Sequence, residues 1–397
     1  GCHAQSFGGG RGLVGLWVVY WLSVLPVGWT RCASAFIGAS SVARPLRGQG
    51  WRPQPQHQSR FLQRSAVKEQ DPFAQLNQEN AAVADELLGA VSADGFVSAK
   101  AVVTTGLVAD ICRRQEALPL ASAALGRALT CCLMLADGLK QDETFQVRFD
   151  GDGPLCGILA IANGQLDAKG YVGNPRVTLP LNSQGKLDVG KGVGKGTLKV
   201  VRLKYLPGDD SPSPYSSITE IRSGEVPEDI NYYLAESEQR EGALAAGVHV
   251  DKEGAVDAAG GWTVHLLPGA PDDVADRLLA NIQEMKQSPT EMILDGLQPR
   301  DILSMILKDM EPEFFEERTP RRATGCCNHE KIRRTLSLLP VREVIQIIEL
   351  NEDVEVRCEF CGKHYEMDKD EMREELDRRM KDQSNDNDTP GRIEVDN

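Results

Sequence analysis

Apolar and polar residues alternate most regularly in residues 144–149, where Phe145, Val147 and Phe149 are separated by polar side chains. This period of two predicts a β-strand with one buried face. The turn-forming residues 150–154 follow at once, and the apolar residues 155–162 come after them. Two such runs joined by a short turn predict a β-hairpin.

Other segments combine β-rich composition with short turns, or show the apolar spacing of a helix. We predict further strands at 96–105, 166–172, 196–205, 217–221 and 261–267, and helices at 117–140, 228–239 and 272–285. Residues 77–88 are interpreted as a polar lead-in. Because strands and helices do not alternate strictly, we predict a mixed α+β core domain over residues 77–287.

The pattern changes at residue 288. Ser288-Pro289-Thr290-Glu291 is a capping box with proline at the first helical position, which predicts a short helix to residue 294, and a second helix is expected after Pro299. We interpret residues 288–324 as a helical linker of marginal, metastable character. A small C-terminal domain at 325–375 is expected to contain helices at 330–338 and 341–350 and a hairpin at 351–365. The charged residues 376–397 predict a disordered tail.

Residues 1–68 differ from the rest of the chain in composition. They contain eight basic residues and no Asp or Glu, and an apolar run at 13–27 precedes the small residues Ala33-Ser34-Ala35. The run is too short to span a bilayer comfortably and fits a signal peptide, while the basic part resembles a transit peptide. We predict a two-part presequence that directs the protein to the plastid of an alga with a secondary plastid, leaving the mature form off the membrane. A membrane anchor, a misread gene start and a cytoplasmic location are the alternatives.

The charge of the remaining chain restricts its partners. The whole chain has a formal charge of −14, but residues 69–397 contain all 58 acidic residues and 36 basic ones (44 less the eight above), a net charge of −22. Proteins that bind nucleic-acid phosphates normally present a basic surface. We therefore expect no nucleic-acid partner.

No group of residues predicts catalysis, so we expect a protein that is not an enzyme. The glycine-rich residues 190–196 lack the spacing and following helix of a phosphate-binding loop, and we predict a β-turn there. His249 and His265 are isolated among apolar residues and are expected to be structural. Four cysteines in apolar surroundings are expected to pack in the core: Cys112, Cys131, Cys132 and Cys156.

Two cysteine pairs form the clearest candidate site. Cys326-Cys327 and the C-x-x-C pair Cys358 and Cys361 are separated by a helix-like stretch, and Gly362 permits a tight turn after the second pair. Zn²⁺ prefers four soft ligands in a tetrahedron, and four thiolates leave no open position for a substrate. We predict one structural Zn²⁺ per chain, held by Cys326, Cys327, Cys358 and Cys361.

Short segments spread along residues 85–372 match a known family in order and spacing. They are 124–130, 151–155, 173–175, 187–190, 194–198, 223–225, 232–239, 258–261 and 358–362. Together they resemble the heat-shock protein 33 family of redox-regulated holdase chaperones. The resemblance implies an α+β core, a metastable helical linker and a C-terminal zinc domain that senses oxidation and heat.

The resemblance also implies a mechanism. The reduced protein would be idle, and oxidation of the four zinc-bound thiolates to disulfides would release the metal, unfold the C-terminal domain and melt the linker. The exposed apolar surface would then bind unfolding client proteins without ATP. Whether the active form is a homodimer stays open at this point.

One departure from the family concerns the first cysteine pair. The family has Cys-x-Cys, and alignment on Asn328-His329 places Cys327 on the second cysteine and Gly325 on the first. We favour Cys326 over His329 as the fourth ligand because thiolate is softer. Adjacent Cα atoms are about 3.8 Å apart, less than the roughly 4.4–6.8 Å that disulfides prefer. Oxidation is therefore expected to be weaker here or to pair differently, with heat taking a larger share.

Two other functions stay open from the residues alone. A zinc-ribbon protein that binds nucleic acid is disfavoured by the acidic charge. A thiol–disulfide oxidoreductase using Cys358 and Cys361 is disfavoured because this C-x-x-C lacks a βαβ setting.

Overall fold

The computed structural model describes residues 84–204, 213–325, 327–336, 338–350, 354–367, 370–374 and 376–379. The predicted presequence at 1–68, the first residues of the predicted core domain at 77–83, and Cys326 lie outside these residues. The predicted tail lies outside them from residue 380 onward.

Strands and helices alternate irregularly along the described residues. The strands are β1 (Glu86–Val91), β2 (Val97–Val103), β3 (Thr144–Gly151), β4 (Ile158–Asn163), β5 (Asp167–Val172), β6 (Gly196–Lys204), β7 (Ser213–Glu220), β8 (Gly242–Val250), β9 (Val256–Leu266), β10 (Glu313–Phe314), β11 (Arg321–Arg322), β12 (Val354–Arg357) and β13 (His364–Met367). The helices are α1 (Thr105–Arg114), α2 (Pro119–Ala136), α3 (Val189–Val193), α4 (Val226–Ser237), α5 (Asp272–Glu284), α6 (Pro289–Leu294), α7 (Pro299–Ile306), α8 (His329–Leu336) and α9 (Val341–Leu350).

The strands before α8 form two sheets. Sheet A has the order β10-β1-β2-β9-β8, and sheet B has the order β11-β5-β4-β3-β6-β7. In sheet B, β3 and β4 pair antiparallel with Phe145 opposite Ala162 and Val147 opposite Ala160. The predicted hairpin is therefore confirmed, and so is the α+β class.

Helix α2 lies in the core between the two sheets. It begins with Pro119 at the first helical position and is rich in Ala and Leu, both of which favour a helix. Gly126 is needed because a Cβ there would lie 2.6 Å from Val108 Cγ1 and 2.7 Å from Val248 Cγ2. Among the described residues α2 alone is long and apolar enough to cross a membrane, and it is buried inside the protein.

The other face of sheet A is covered by α5, α6 and α7. Leu88 and Val264 of the sheet pack in one buried cluster with Met292 of α6 and with Ile302 and Leu303 of α7. The capping box predicted at the start of α6 is present, because Ser288 Oγ accepts the Glu291 N–H and the Glu291 carboxylate accepts the Ser288 N–H at 2.7 Å. The two predicted linker helices are thus confirmed, and both are docked.

The chain after α7 runs along the edges of both sheets. β10 pairs with β1, and β11 pairs in parallel with β5. Arg318 forms an ion pair with Asp137 and donates to the Gly164 carbonyl at 2.5 Å. Arg322 Nε donates to the buried Asp110 carboxylate at 2.7 Å. This part of the linker is therefore attached to the core by both backbone and side chains.

Three local predictions were wrong. Residues 77–88 were expected to be a polar lead-in, but β1 begins at Glu86; Leu87 joins the core cluster around α2 and Leu88 the cluster beneath α5–α7. The β-turn predicted at 190–196 overlaps the short helix α3, which Asp188 caps by accepting the Lys191 N–H at 3.0 Å.

The third error concerns one of the cysteines expected in the core. Cys156 is exposed and lies in the turn before β4, where its φ is 55°. Cys112, Cys131 and Cys132 are buried as predicted.

Candidate metal centre

The C-terminal domain is built from α8, α9 and the antiparallel hairpin β12–β13. These match the predicted helices and hairpin. Among the described residues of this domain, the buried apolar cluster is small and consists of Ile332, Val344, Ile347, Val356, Met367 and Met372. A domain with so little apolar core gains much of its folding free energy from a metal or from docking.

The second cysteine pair lies in the tight turn that joins β12 to β13. The Gly362 N–H donates to the Cys358 carbonyl at 2.8 Å, and the Cys358 N–H donates to the Lys363 carbonyl at 2.9 Å. Gly362 has a φ of 68°, in the left-handed region that glycine adopts without strain. A Cβ there would also lie 2.2 Å from the Arg114 carbonyl oxygen, so a larger residue would push the turn away from the core.

The thiol of a third cysteine, Cys327, meets those of Cys358 and Cys361 beside this turn. The Sγ atoms of Cys327, Cys358 and Cys361 all lie within 4.8 Å of one another, and Cys327 Sγ is 3.2 Å from Cys361 Sγ. Cys358 and Cys361 are buried, whereas Cys327 is half-buried. Three converging thiols provide the soft donor set that zinc prefers, so these residues fit the predicted metal.

The fourth ligand was predicted to be Cys326, with His329 as the alternative. Cys326 lies outside the described residues. His329 is not part of the cluster of three thiols, and its Nε2 lies 3.8 Å from Glu371 Oε1. The choice of Cys326 stays a prediction.

Tyr365 on β13 is a neighbour of the centre that the sequence analysis did not single out. Its hydroxyl oxygen lies 3.0 Å from Cys327 Sγ. Burial raises the pKa of Tyr365, and the hydrogen bond to Cys327 and the nearby thiols raise it further. The tyrosine is therefore a neutral hydrogen-bonding group at neutral pH. Its position four residues after Cys361 is a signal that could have indicated it.

The cysteine turn docks on the outer face of sheet B. Phe360 meets Tyr171 edge to face with ring centroids 5.3 Å apart, and Lys169 Nζ lies 4.8 Å from the Phe360 centroid. Leu159 belongs to the same buried cluster as Cys358 and Cys361. Beside it, Arg357 Nη2 donates to the Arg114 carbonyl at 2.8 Å. No local pattern predicted this docking, because Phe360 and Tyr171 are 189 residues apart in the sequence and Arg357 and Arg114 are 243 apart.

Comparison with known proteins decides the family. The profile of the family described as Hsp33 protein matches residues 85–368. The chain belongs to the Hsp33 family. The family predicted from the sequence is thus confirmed, while its plastid or algal qualifier stays a prediction.

Hsp33 relatives match over most of their lengths. The 33 kDa chaperonin of Symbiobacterium thermophilum is 40% identical over 304 residues, which cover 76% of this chain and 99% of that protein. The 33 kDa chaperonin of Bacillus licheniformis is 37% identical over 292 residues, or 72% of this chain and 97% of that protein. A crystal structure of a 33 kDa chaperonin from Thermotoga maritima superposes with a TM-score of 0.67 at 28% identity, covering 75% of this chain and 99% of that one.

Proposed function

We propose that this protein is an ATP-independent holdase chaperone that is idle when reduced and zinc-bound, and that binds unfolding proteins after oxidation or heating. Membership of a family of chaperonins supports the chaperone function. The nucleic-acid-binding and oxidoreductase alternatives are not favoured by this family. The proposal includes no enzymatic activity.

The observation behind the proposal is the apolar face of sheet A beneath α5, α6 and α7. Leu88, Val97, Ala99 and Ala101 on this face are at most 1% exposed. The linker helices α6 and α7 that cover them have six and eight residues, and isolated helices of that length are marginal in water. Undocking the linker would therefore uncover a continuous apolar surface, which is what a non-specific holdase needs.

We propose that the cysteine centre controls this docking. When bound, zinc would supply folding free energy to the C-terminal domain, about 10–16 kcal/mol in small zinc modules. Cys327, Cys358 and Cys361 would hold it as thiolates, with Cys326 as the proposed fourth ligand. Oxidation of these thiolates to disulfides by peroxide or hypochlorite removes the charged ligands, and the domain then loses the main source of its stability.

Loss of the C-terminal domain then acts on the linker. The domain covers Leu159 and Tyr171 on sheet B, and the chain leading to it is held by β11 and by the Arg322–Asp110 ion pair. Undocking removes the anchor at one end of the linker, so the helices over sheet A are held by their own contacts alone. Heat would melt those contacts even without oxidation.

Because a disulfide between the adjacent Cys326 and Cys327 would be strained, we propose that oxidation here is weaker or pairs differently, and that heat shares more of the activation. The proposed partners are unfolded or aggregation-prone proteins. Homodimerisation of the active form and a plastid location are further proposals; the latter is supported by the acid-free residues 1–68.

Light scattering of a heat-unfolded client tests the function directly. The reduced, zinc-loaded protein should leave aggregation unchanged at the lower of two temperatures. The peroxide-treated protein should suppress it without ATP, and heating should enhance this effect. Equal aggregation with reduced protein, oxidised protein and buffer at both temperatures would contradict the proposal.

A further inference from the structure

Cys327 is the most accessible of the three described thiols in the centre. Cys358 and Cys361 are 1% and 6% exposed, and Phe360 between them packs on Tyr171 of sheet B. Cys327 is only half-buried. Because oxidation of a thiolate follows its access to solvent as well as its charge, an oxidant meets Cys327 before the other two.

Tyr365 makes a direct contact with this sulfur. Its hydroxyl oxygen is 3.0 Å from Cys327 Sγ, and its ring lies edge-on to His329 at 6.5 Å between centroids. Tyr365 pairs opposite Val356 in the β12–β13 hairpin, which positions its backbone beside the centre. A thiolate has no proton to give, so when Cys327 is ionised the Tyr365 O–H is the donor and the sulfur the acceptor.

We infer that Tyr365 is a positioning residue that sets the rate at which peroxides oxidise Cys327; this inference rests on the redox activation proposed above. In that step a sulfur lone pair attacks one peroxide oxygen, an S–O bond forms, the O–O bond breaks and hydroxide leaves. The sulfur is oxidised by two electrons to a sulfenic acid, and the peroxide is reduced. A neighbouring thiolate then displaces a second hydroxide to form a disulfide, and Cys361 Sγ lies 3.2 Å away.

The hydrogen bond slows the first step because it stabilises the charge that the attack consumes. Hydrogen bonds to ionised groups are shorter and stronger than those between neutral groups. Part of this stabilisation is lost as the lone pair moves toward oxygen. Tyr365→Phe removes the donor and keeps the ring, so we expect Cys327 to be oxidised about three to ten times faster.

The test compares Tyr365→Phe with the unaltered full chain, both reduced and zinc-loaded. Zinc release after peroxide addition is followed with a chromogenic chelator, and sulfenic acid at Cys327 is trapped with dimedone and quantified by mass spectrometry. Tyr171→Phe is the matched control, since it removes a hydroxyl from the docking face while keeping the ring against Phe360. Both rates should rise for Tyr365→Phe and stay unchanged for Tyr171→Phe.

A purely structural role for Tyr365 is distinguished in two ways. In the cobalt(II)-substituted protein, loss of the hydrogen bond should move the sulfur-to-metal charge-transfer band to longer wavelength. Replacing Tyr365 with 3-fluorotyrosine keeps the shape and strengthens the donor, so oxidation should be slower than in the unaltered protein. This second variant also serves if Tyr365→Phe fails to load zinc.

The outcomes separate this inference from the proposed function. Unchanged oxidation rates in Tyr365→Phe, or faster oxidation with 3-fluorotyrosine, would overturn the role of Tyr365 even if oxidised protein protects clients. Absence of client protection by the oxidised, unaltered protein would overturn the proposed function, whatever the rates at Cys327.

Discussion

Leu303 on α7 is the residue whose truncation tests the linker most sharply. Its side chain is fully buried in the cluster that α5–α7 form with sheet A. Leu303→Ala removes most of this side chain's packing and leaves the cysteine centre unchanged. If the covered face of sheet A is the client-binding surface, the variant should hold clients while still reduced and zinc-loaded.

The size of the effect follows from the burial. Leu→Ala at a fully buried site removes transferred apolar area and leaves a cavity, at a cost of about 2–5 kcal/mol. Each 1.4 kcal/mol is a tenfold change in an equilibrium, so the undocked linker population should rise by roughly 30-fold to several thousand-fold. The loss should fall on the docking of α7, because α7 packs on one face of sheet A while α2 packs on the opposite face.

Hydrogen exchange and client aggregation measure the two halves of this prediction. Amides of α7 should exchange faster in Leu303→Ala, whereas amides of the central helix α2 should keep the protection seen in the unaltered protein. The temperature at which reduced protein begins to suppress aggregation should fall. Ser304→Ala is the matched control, since Ser304 is the exposed neighbour on the same helix.

One result would refute the reasoning about the surface. Suppose α7 exchanges faster and zinc stays bound, but reduced Leu303→Ala protects no client at any temperature below global unfolding. The face of sheet A beneath the linker would then not be a client-binding surface, and the exposed region would have to be sought elsewhere.

Three further predictions concern the metal, the linker anchor and pH. Cys358→Ser should abolish near-stoichiometric zinc in elemental analysis of reduced protein and raise hydrogen exchange in α8 and α9; full zinc content would contradict the site. Arg322→Gln leaves the buried Asp110 with one hydrogen-bonding arginine fewer and should destabilise linker docking by about 1–3 kcal/mol in denaturant titrations, while Arg321→Gln at an exposed pair should change it little. Burial raises the pKa of Asp85 from 3.8 to about 6. A raised carboxyl pKa favours the folded state only while the group is protonated, so the free energy of unfolding should fall by about 2 kcal/mol as pH rises from 4 to 7, and Asp85→Asn should remove that fall.

A strand with one buried face and one solvent-facing face could be predicted from the sequence. β3 is such a strand, with Phe145, Val147 and Phe149 buried and polar residues between them. β1 escaped prediction because both of its faces are covered, so Leu87 and Leu88 are adjacent apolar residues that break the period of two. Alternation of apolar and polar residues identifies only those strands that have one solvent-facing face.

Elements fixed by distant partners were also missed. β10 and β11 have two residues each and exist because β1 and β5 offer free strand edges to pair with. Nothing in Glu313–Phe314 or Arg321–Arg322 predicts a strand. Their pairing depends on the tertiary fold, which a local pattern does not contain.

The candidate site also combines a local part that the sequence predicted with a non-local part that it did not. Metal ligands in one turn have a fixed spacing, so Cys358, Cys361 and the turn glycine Gly362 were evident from the sequence. The surface on which this turn docks is not local: Tyr171 and Lys169 come from sheet B, and only the fold brings them to Phe360. Chemistry was thus predicted from spacing, and docking was not.

The order of the docked segments along the chain has a consequence for the proposed activation. From the C-terminal domain backwards, the chain contacts sheet B through the cysteine turn. It is next held by two arginine anchors, the ion pairs of Arg322 with Asp110 and of Arg318 with Asp137. Only then does it contact sheet A, through α7, α6 and α5. If undocking begins at the cysteines, the two arginine ion pairs must therefore break before sheet A is uncovered. The anchors are charged and partly exposed, so salt weakens them more than it weakens the apolar contacts. Raising the ionic strength should therefore make linker release after zinc loss easier, and hydrogen exchange of α7 in the zinc-free protein at low and high salt would measure this.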